Sequence, residues 1–143
     1  MFDIAEHYKE GDTQNMLVSN TIFGAGLAGK FSRHQAYSSQ ENTSPDHSVV
    51  LMKKHGFTAL GTNIPATVFR ALYTQTNATI QMNAQLLQNA MKSEDLDGLD
   101  SLTGKQARDC QEMNEDTQER PWGLWVREVE ACPLYVNRML KVL

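Results

Sequence analysis

The chain of 143 residues contains only two cysteines, Cys110 and Cys132, with no Cys-x-x-Cys pair and no zinc-type spacing. A disulfide framework and a cysteine-based zinc cluster are therefore excluded, and both thiols read as buried or idle. Long apolar runs are missing as well. None approaches the roughly 20 residues a membrane span needs, and Met1-Phe2-Asp3-Ile4-Ala5-Glu6 has neither the basic start nor the apolar core of a signal peptide. A soluble, cytoplasmic protein without a membrane partner is the expectation. Positive charge is also short, since 13 Lys and Arg stand against 17 Asp and Glu for a net charge of −4. That balance argues against nucleic acid or an anionic membrane as partner. No His-Glu-x-x-His, phosphate-binding loop or ordered Ser/His/Asp set is present, so a nucleophilic hydrolase has no support.

What is present fits one domain over residues 1–143, long enough to bury roughly two-thirds of its unfolded surface. Ser19 or Asn20 can cap a helix over Thr21 to Phe31, with Ile22, Phe23, Leu27 and Phe31 as its large apolar residues. Residues 32–47 are too polar to pack and read as a surface loop. Ser48-Val49-Val50-Leu51-Met52 and Phe57-Thr58-Ala59-Leu60 read as two short strands joined by Lys53-Lys54-His55-Gly56, a hairpin with His55 at its tip. After it, Gly61-Thr62-Asn63-Ile64-Pro65 supplies a stop, a cap and an early proline. The longest helix should follow, with Ile64, Val68, Leu72, Ile80, Ala84, Leu87 and Met91 on one face and a gap in the pattern around Gln75 to Asn77. An acidic connector over 93–101 precedes a helix from Thr103 to about Glu119, ended by Pro121. A last helix runs from Trp122 to Ala131, before Pro133.

Three groupings bear on chemistry. Gly24-Ala25-Gly26-Leu27-Ala28-Gly29 has the spacing of a dinucleotide-binding turn, but Ser19-Asn20-Thr21 interrupts the strand that should precede it, and Asp46 stands before the next strand instead of at its end. The competing reading is a helix whose small face permits close packing. His47 and His55 are eight residues apart, roughly 26 Å along a strand, too far to share a metal ion. His7 and His34 lie in polar surroundings and read as surface residues. Arg120-Pro121-Trp122-Gly123-Leu124-Trp125 sets aromatic area beside guanidinium groups, which suits a carboxylate-binding pocket or a subunit contact as well as simple packing of the C-terminal region.

Taken in order, Phe2-Asp3-Ile4, Asp12-Thr13-Gln14-Asn15-Met16-Leu17-Val18, Leu51-Met52-Lys53-Lys54-His55-Gly56-Phe57 with Gly61, Val68-Phe69-Arg70-Ala71-Leu72-Tyr73 and Arg120-Pro121-Trp122-Gly123 resemble the C-terminal part of the class II aldolase/adducin family. The likeness covers residues 2–31 and 48 to about 137. It is nearest in character to the branch holding metal-dependent aromatic-acid decarboxylases and sugar-phosphate aldolases. The resemblance implies an α/β fold, a three-layer α/β/α domain with a largely antiparallel central sheet, here in N-terminally truncated form. It also implies a cyclic homotetramer with a small-molecule substrate, and a divalent metal, zinc or manganese, held by three histidines. His55 stands at the third ligand's place. Arg120, Trp122 and Tyr135 are the candidates for substrate binding.

This sequence departs from that pattern in having no His-x-His pair and no accompanying Glu acid/base upstream of it. The expectation is a lyase-type protein that breaks a C–C bond, by retro-aldol cleavage or decarboxylation, but that is inactive and prone to associate in this form. Missing strands would leave hairpin edges unpaired and an apolar face uncovered. A non-catalytic, adducin-like interaction module is the alternative. A nucleotide-binding oxidoreductase resting on Gly24 to Gly29 is the third.

Overall fold

The computed structural model describes residues 1–32, 45–91 and 102–136, and of Met91 the backbone alone. Its elements are α1 (Thr21–Ala28), β1 (Val49–Met52), β2 (Gly56–Ala59), α2 (Ile64–Met91), α3 (Gly104–Thr117) and α4 (Trp122–Ala131), with 3-10 turns at Ile4–His7 and Gly29–Phe31. This is a small mixed fold in which the described residues carry one two-stranded antiparallel sheet and four α-helices. The chain divides into two compact units, Met1–Thr62 and Asn63–Leu143. Residues 33–44 of the polar loop assigned to 32–47, with His34, and all of the acidic connector at 93–101 fall outside the described residues.

The first unit is built on the hairpin. β1 and β2 pair in the register Val49↔Ala59 to Met52↔Gly56, and the Leu60 N–H donates to the Ser48 carbonyl at 2.8 Å to extend the ladder. Alternation then sends Val50 and Met52 inward, while Leu51 stays 56% exposed. The three-residue connection turns because Lys54 takes φ 60° and Gly56 φ 138°, the second a conformation that only glycine adopts without strain.

A short N-terminal segment closes the other side of β1. The Phe2 N–H donates to the Leu51 carbonyl at 2.7 Å, and the Lys53 N–H donates to the Phe2 carbonyl at 2.9 Å, making a parallel bridge between Phe2 and Met52. The Phe2 side chain, 1% exposed, joins Ile4, Phe23, Phe31, Val50 and Met52 in the core, with Tyr8, Met16 and Leu27 packed at its margin. Tyr8 meets Phe23 edge-on at 5.4 Å, and its hydroxyl accepts the Met16 N–H at 2.9 Å. That bond steadies Met16 at φ 65°, a strained backbone for a residue with a long side chain. The outer edge of β2 has no strand partner among the described residues.

Asn20, not Ser19, caps α1, its Oδ1 accepting the Phe23 N–H at 2.9 Å. The expected helix to Phe31 tightens to 3-10 geometry after Ala28. In the second unit, Asn63 Oδ1 accepts the Ala66 N–H at 2.8 Å and starts α2, where Pro65 costs no intrahelical bond. The helix continues without interruption through Gln75 to Asn77. Thr76 and Thr79, in and beside that gap, donate their hydroxyls to the Leu72 and Gln75 carbonyls one turn back. Thr103 and Gln106 form a reciprocal capping box for α3, and Pro121 opens α4.

Asp3 links the N-terminal segment to the hairpin, its carboxylate lying 2.6 Å from the Lys53 ammonium. The hydrogen bond from Lys53, helped by the Ala5 N–H, holds the Asp3 carboxyl below its ordinary value of 3.8, and the same contact holds Lys53 above 10.5. The stabilisation from Asp3 is therefore present above pH 3.8 and fades as pH falls through its lowered value; that from Lys53 is present below pH 10.5 and fades as pH rises beyond it. Thermal melts across this range should show Asp3→Asn shifting the midpoint more at pH 7 than in acid, as the Asp3 carboxylate is protonated. Phe2→Ala should cost about 3 kcal/mol or more at every pH, because it leaves a cavity in the core.

Candidate functional site

His55 sits where the sequence places it, in the turn between β1 and β2, exposed, with its N–H donating to the Met52 carbonyl at 3.1 Å. The open space beside Gly56 leaves the neighbouring backbone accessible, and the two flanking strands fix the turn. Among the described residues no group of three or more His, Cys, Asp or Glu is arranged to hold a metal ion. One imidazole does not make a catalytic metal centre, which uses three protein ligands and an open position. The donors present thus do not by themselves fit the metal the resemblance implies.

The other candidates belong to the second unit and are only partly assembled. Arg120 lies in the turn between α3 and α4, its N–H donating to the Thr117 carbonyl at 3.0 Å. It lines an open cavity of about 500 Å³ with Phe69, Tyr73, Met113, Asn114 and Thr117. The Phe69 and Tyr73 rings are 4.4 Å apart and tilted by 35°, and they line the same cavity as Arg120. Such a wall can take an anionic group at the Arg and apolar atoms on the rings. Trp122, half-buried at the start of α4, and Tyr135, 62% exposed beyond its end, do not line this cavity. The sequence did not single out Phe69 and Tyr73, which it offered only within the segment 68–73 that carries the resemblance, because their sharing a cavity with Arg120 depends on tertiary structure.

One sequence assignment changes. The thiols are free, Cys110 exposed and Cys132 half-buried. His7, read as a surface residue from its polar neighbours, is half-buried instead. Its ring stacks on Phe2 at 5.3 Å, and its Nε2 is buried with no hydrogen-bond partner among the described residues. The cause is Gly26, where an added Cβ would stand 2.7 Å from the His7 ring.

Gly26 also settles what the glycine-spaced segment does. Gly24 and Gly26 are interior to α1 and Gly29 caps its end, without the left-handed backbone of Gly11 or Gly56. No strand runs into the segment among the described residues, so it lacks the turn that brings amides to a pyrophosphate. The close approach is to the His7 ring, and the helix with a small face is the reading that holds.

Comparison with known proteins adds one finding. The chain is 43% identical over 138 residues to the decarboxylase tropJ of Talaromyces stipitatus, a match covering 95% of this chain and 50% of that protein. The chain therefore spans about half the length of the curated relative it matches. No protein-family model matches it, and no solved structure does.

Replacing the glycines separates packing from ligand binding. Gly24→Ala meets open space and should gain up to about 1 kcal/mol from helix propensity, whereas Gly26→Ala should be about 1–3 kcal/mol less stable than Gly24→Ala, because it drives a methyl into the His7 ring. Denaturant unfolding of the two variants measures the difference.

Proposed function

We propose that the chain is part of a lyase of the class II aldolase/adducin kind, acting as a decarboxylase on a small carboxylic acid. The observation that carries this is the 43% identity to a protein named as a decarboxylase, sustained over 95% of the chain. The proposal includes a three-layer α/β/α domain, to which the hairpin contributes two antiparallel strands, and a homo-oligomeric state. His55 is assigned as one ligand of a divalent metal, zinc or manganese, whose other ligands lie outside the described residues.

Within the chain itself, His55 is suited to the ligand role by exposure and by a turn that the β1–β2 ladder holds in one geometry. Its other ring nitrogen would need an acceptor to set the tautomer. Arg120 is the residue suited to the substrate carboxylate, since its guanidinium offers paired donors at an apolar wall. Trp122 and Tyr135 are retained as weaker substrate-binding assignments, because neither meets Arg120 at the cavity.

The exposed β2 edge and the lack of a three-ligand cluster among the described residues also favour a second reading, a non-catalytic interaction module. Metal analysis and carbon dioxide release distinguish the two. The chain should be expressed together with any in-frame sequence its gene carries upstream. On the lyase reading it binds zinc or manganese, and His55→Ala lowers metal affinity by about tenfold or more. Equal metal content in the two proteins would refute the ligand assignment. Arg120→Gln should raise KM for a carboxylic substrate by roughly tenfold, the worth of a charge-assisted hydrogen bond, with a smaller change in kcat.

A further inference from the structure

Among the described residues, His7 alone carries a buried side-chain nitrogen or oxygen without a hydrogen-bond partner. A buried polar atom left unpaired is rare enough in a folded protein to call for a cause. The ring is closed in by aromatic and backbone surface. It stacks on Phe2 with the planes 26° apart, and Gly26 of α1 lies against its Cε1 and Nε2, each 2.7 Å from where a Cβ on that glycine would stand. Between the helix and Nε2 there is then no space for a bridging water. With its proton on Nδ1, a neutral ring presents Nε2 as a bare lone pair, the form that leaves no N–H orphaned.

We infer that His7 is a proton-operated latch on the N-terminal segment: the neutral ring holds Phe2 on β1, and a proton added at Nε2 lets that segment go. Protonation makes both ring nitrogens donors and adds a charge. In the closed arrangement the new N–H meets the α1 backbone without an acceptor, and a buried, unpaired charge carries a heavy desolvation penalty. The face of the Phe2 ring attracts a cation and returns part of that penalty. Water solvates the opened imidazolium in full. Acid therefore favours the arrangement that exposes Nε2 to water, which is the open one.

The charges around the ring do not offset this. α1 carries none from Thr21 to Ala28, β1 none from Val49 to Met52, and β2 none from Gly56 to Ala59. On the 3-10 turn of His7 itself, Glu6 is exposed, and Asp3 at the cap is engaged by the Lys53 ammonium and the Ala5 N–H. The hairpin turn contributes Lys53 and Lys54, and the turn after α1 contributes Lys30, all cations that oppose a further positive charge. Asp3, held below 3.8, and Lys53, held above 10.5, keep their charges from pH 8 to about 5.5, so neither supplies the response. What the latch controls follows from the backbone. Phe2 donates to Leu51 and accepts from Lys53, and releasing it leaves β1 with β2 alone among the described residues. Acidity is thereby coupled to the support of the hairpin that presents His55.

The inference stands apart from the lyase reading, and its test measures no activity. Amide hydrogen exchange of the full chain, with intrinsic rates divided out, reads the segment at Lys53, whose N–H is bonded to the Phe2 carbonyl. A water-exposed histidine takes up its proton near pH 6.5, so opening should grow about tenfold between pH 8 and 5.5, and Lys53 protection should fall by as much. Amides inside α2 should show no such change. His7→Leu, which keeps an apolar side chain and has no site for the proton, should give constant protection at Lys53 over the same range. His7→Asn serves the same end if the leucine variant does not fold. His47 and His55 are present in both proteins, so their protonation cancels in the comparison. Constant protection in the unaltered chain, a fall of equal size in the His7 variant, or a fall shared by α2 would each overturn the latch.

Discussion

The hairpin that carries His55 depends on one residue at the opposite end of its unit. Phe2 supplies two backbone hydrogen bonds to β1 and a ring that is almost fully buried, so a two-stranded ribbon, marginal by itself, gains a third partner and a core. The Asp3–Lys53 contact ties the same segment to the turn beside His55. Position and stability of the candidate ligand are thus set by a segment some fifty residues away in sequence. The same ring stacks on His7, and Gly26 makes room for that stack, so the glycine spacing in α1 serves packing.

The second unit follows a different logic. No residue of α3 or α4 is buried, and their ends are held by caps and turns instead of by core contacts. What the unit offers is surface: an open cavity lined by Phe69, Tyr73 and Arg120, and a long helix without charge from Ala71 onward. A substrate carboxylate is the proposed occupant of the first. The chain shares 43% identity with about half the length of its relative, and among the described residues β2 has no strand partner on its outer edge.

Local signals were read well. The hairpin, the helix start at Asn63 and Pro65, the stop before Pro121 and the last helix over Trp122–Ala131 all appear where turn chemistry, capping and proline place them, because each rests on residues within one turn of one another. Asn20 as the α1 cap could not be separated from Ser19 in advance, since either side chain can accept the same bond. The gap at Gln75 to Asn77 did not break α2, because a helix is propagated by its backbone bonds and not by its apolar stripe. His7 was misread because its sequence neighbours are polar, whereas the groups that bury it, Phe2 and Gly26, reach it through the fold.

By itself the sequence determined the kind and order of the helices and strands, the exposed tip at His55 and the missing charge along α2, all of which follow from residue type and short-range geometry. Tertiary structure alone decided that Phe2 pairs with β1, that Gly26 faces a histidine instead of a phosphate, and that Arg120 shares a cavity with Phe69 and Tyr73 but not with Trp122 or Tyr135. Those outcomes depend on contacts between residues far apart in the chain, whose free energy comes from surfaces fitting together and is invisible to spacing or composition.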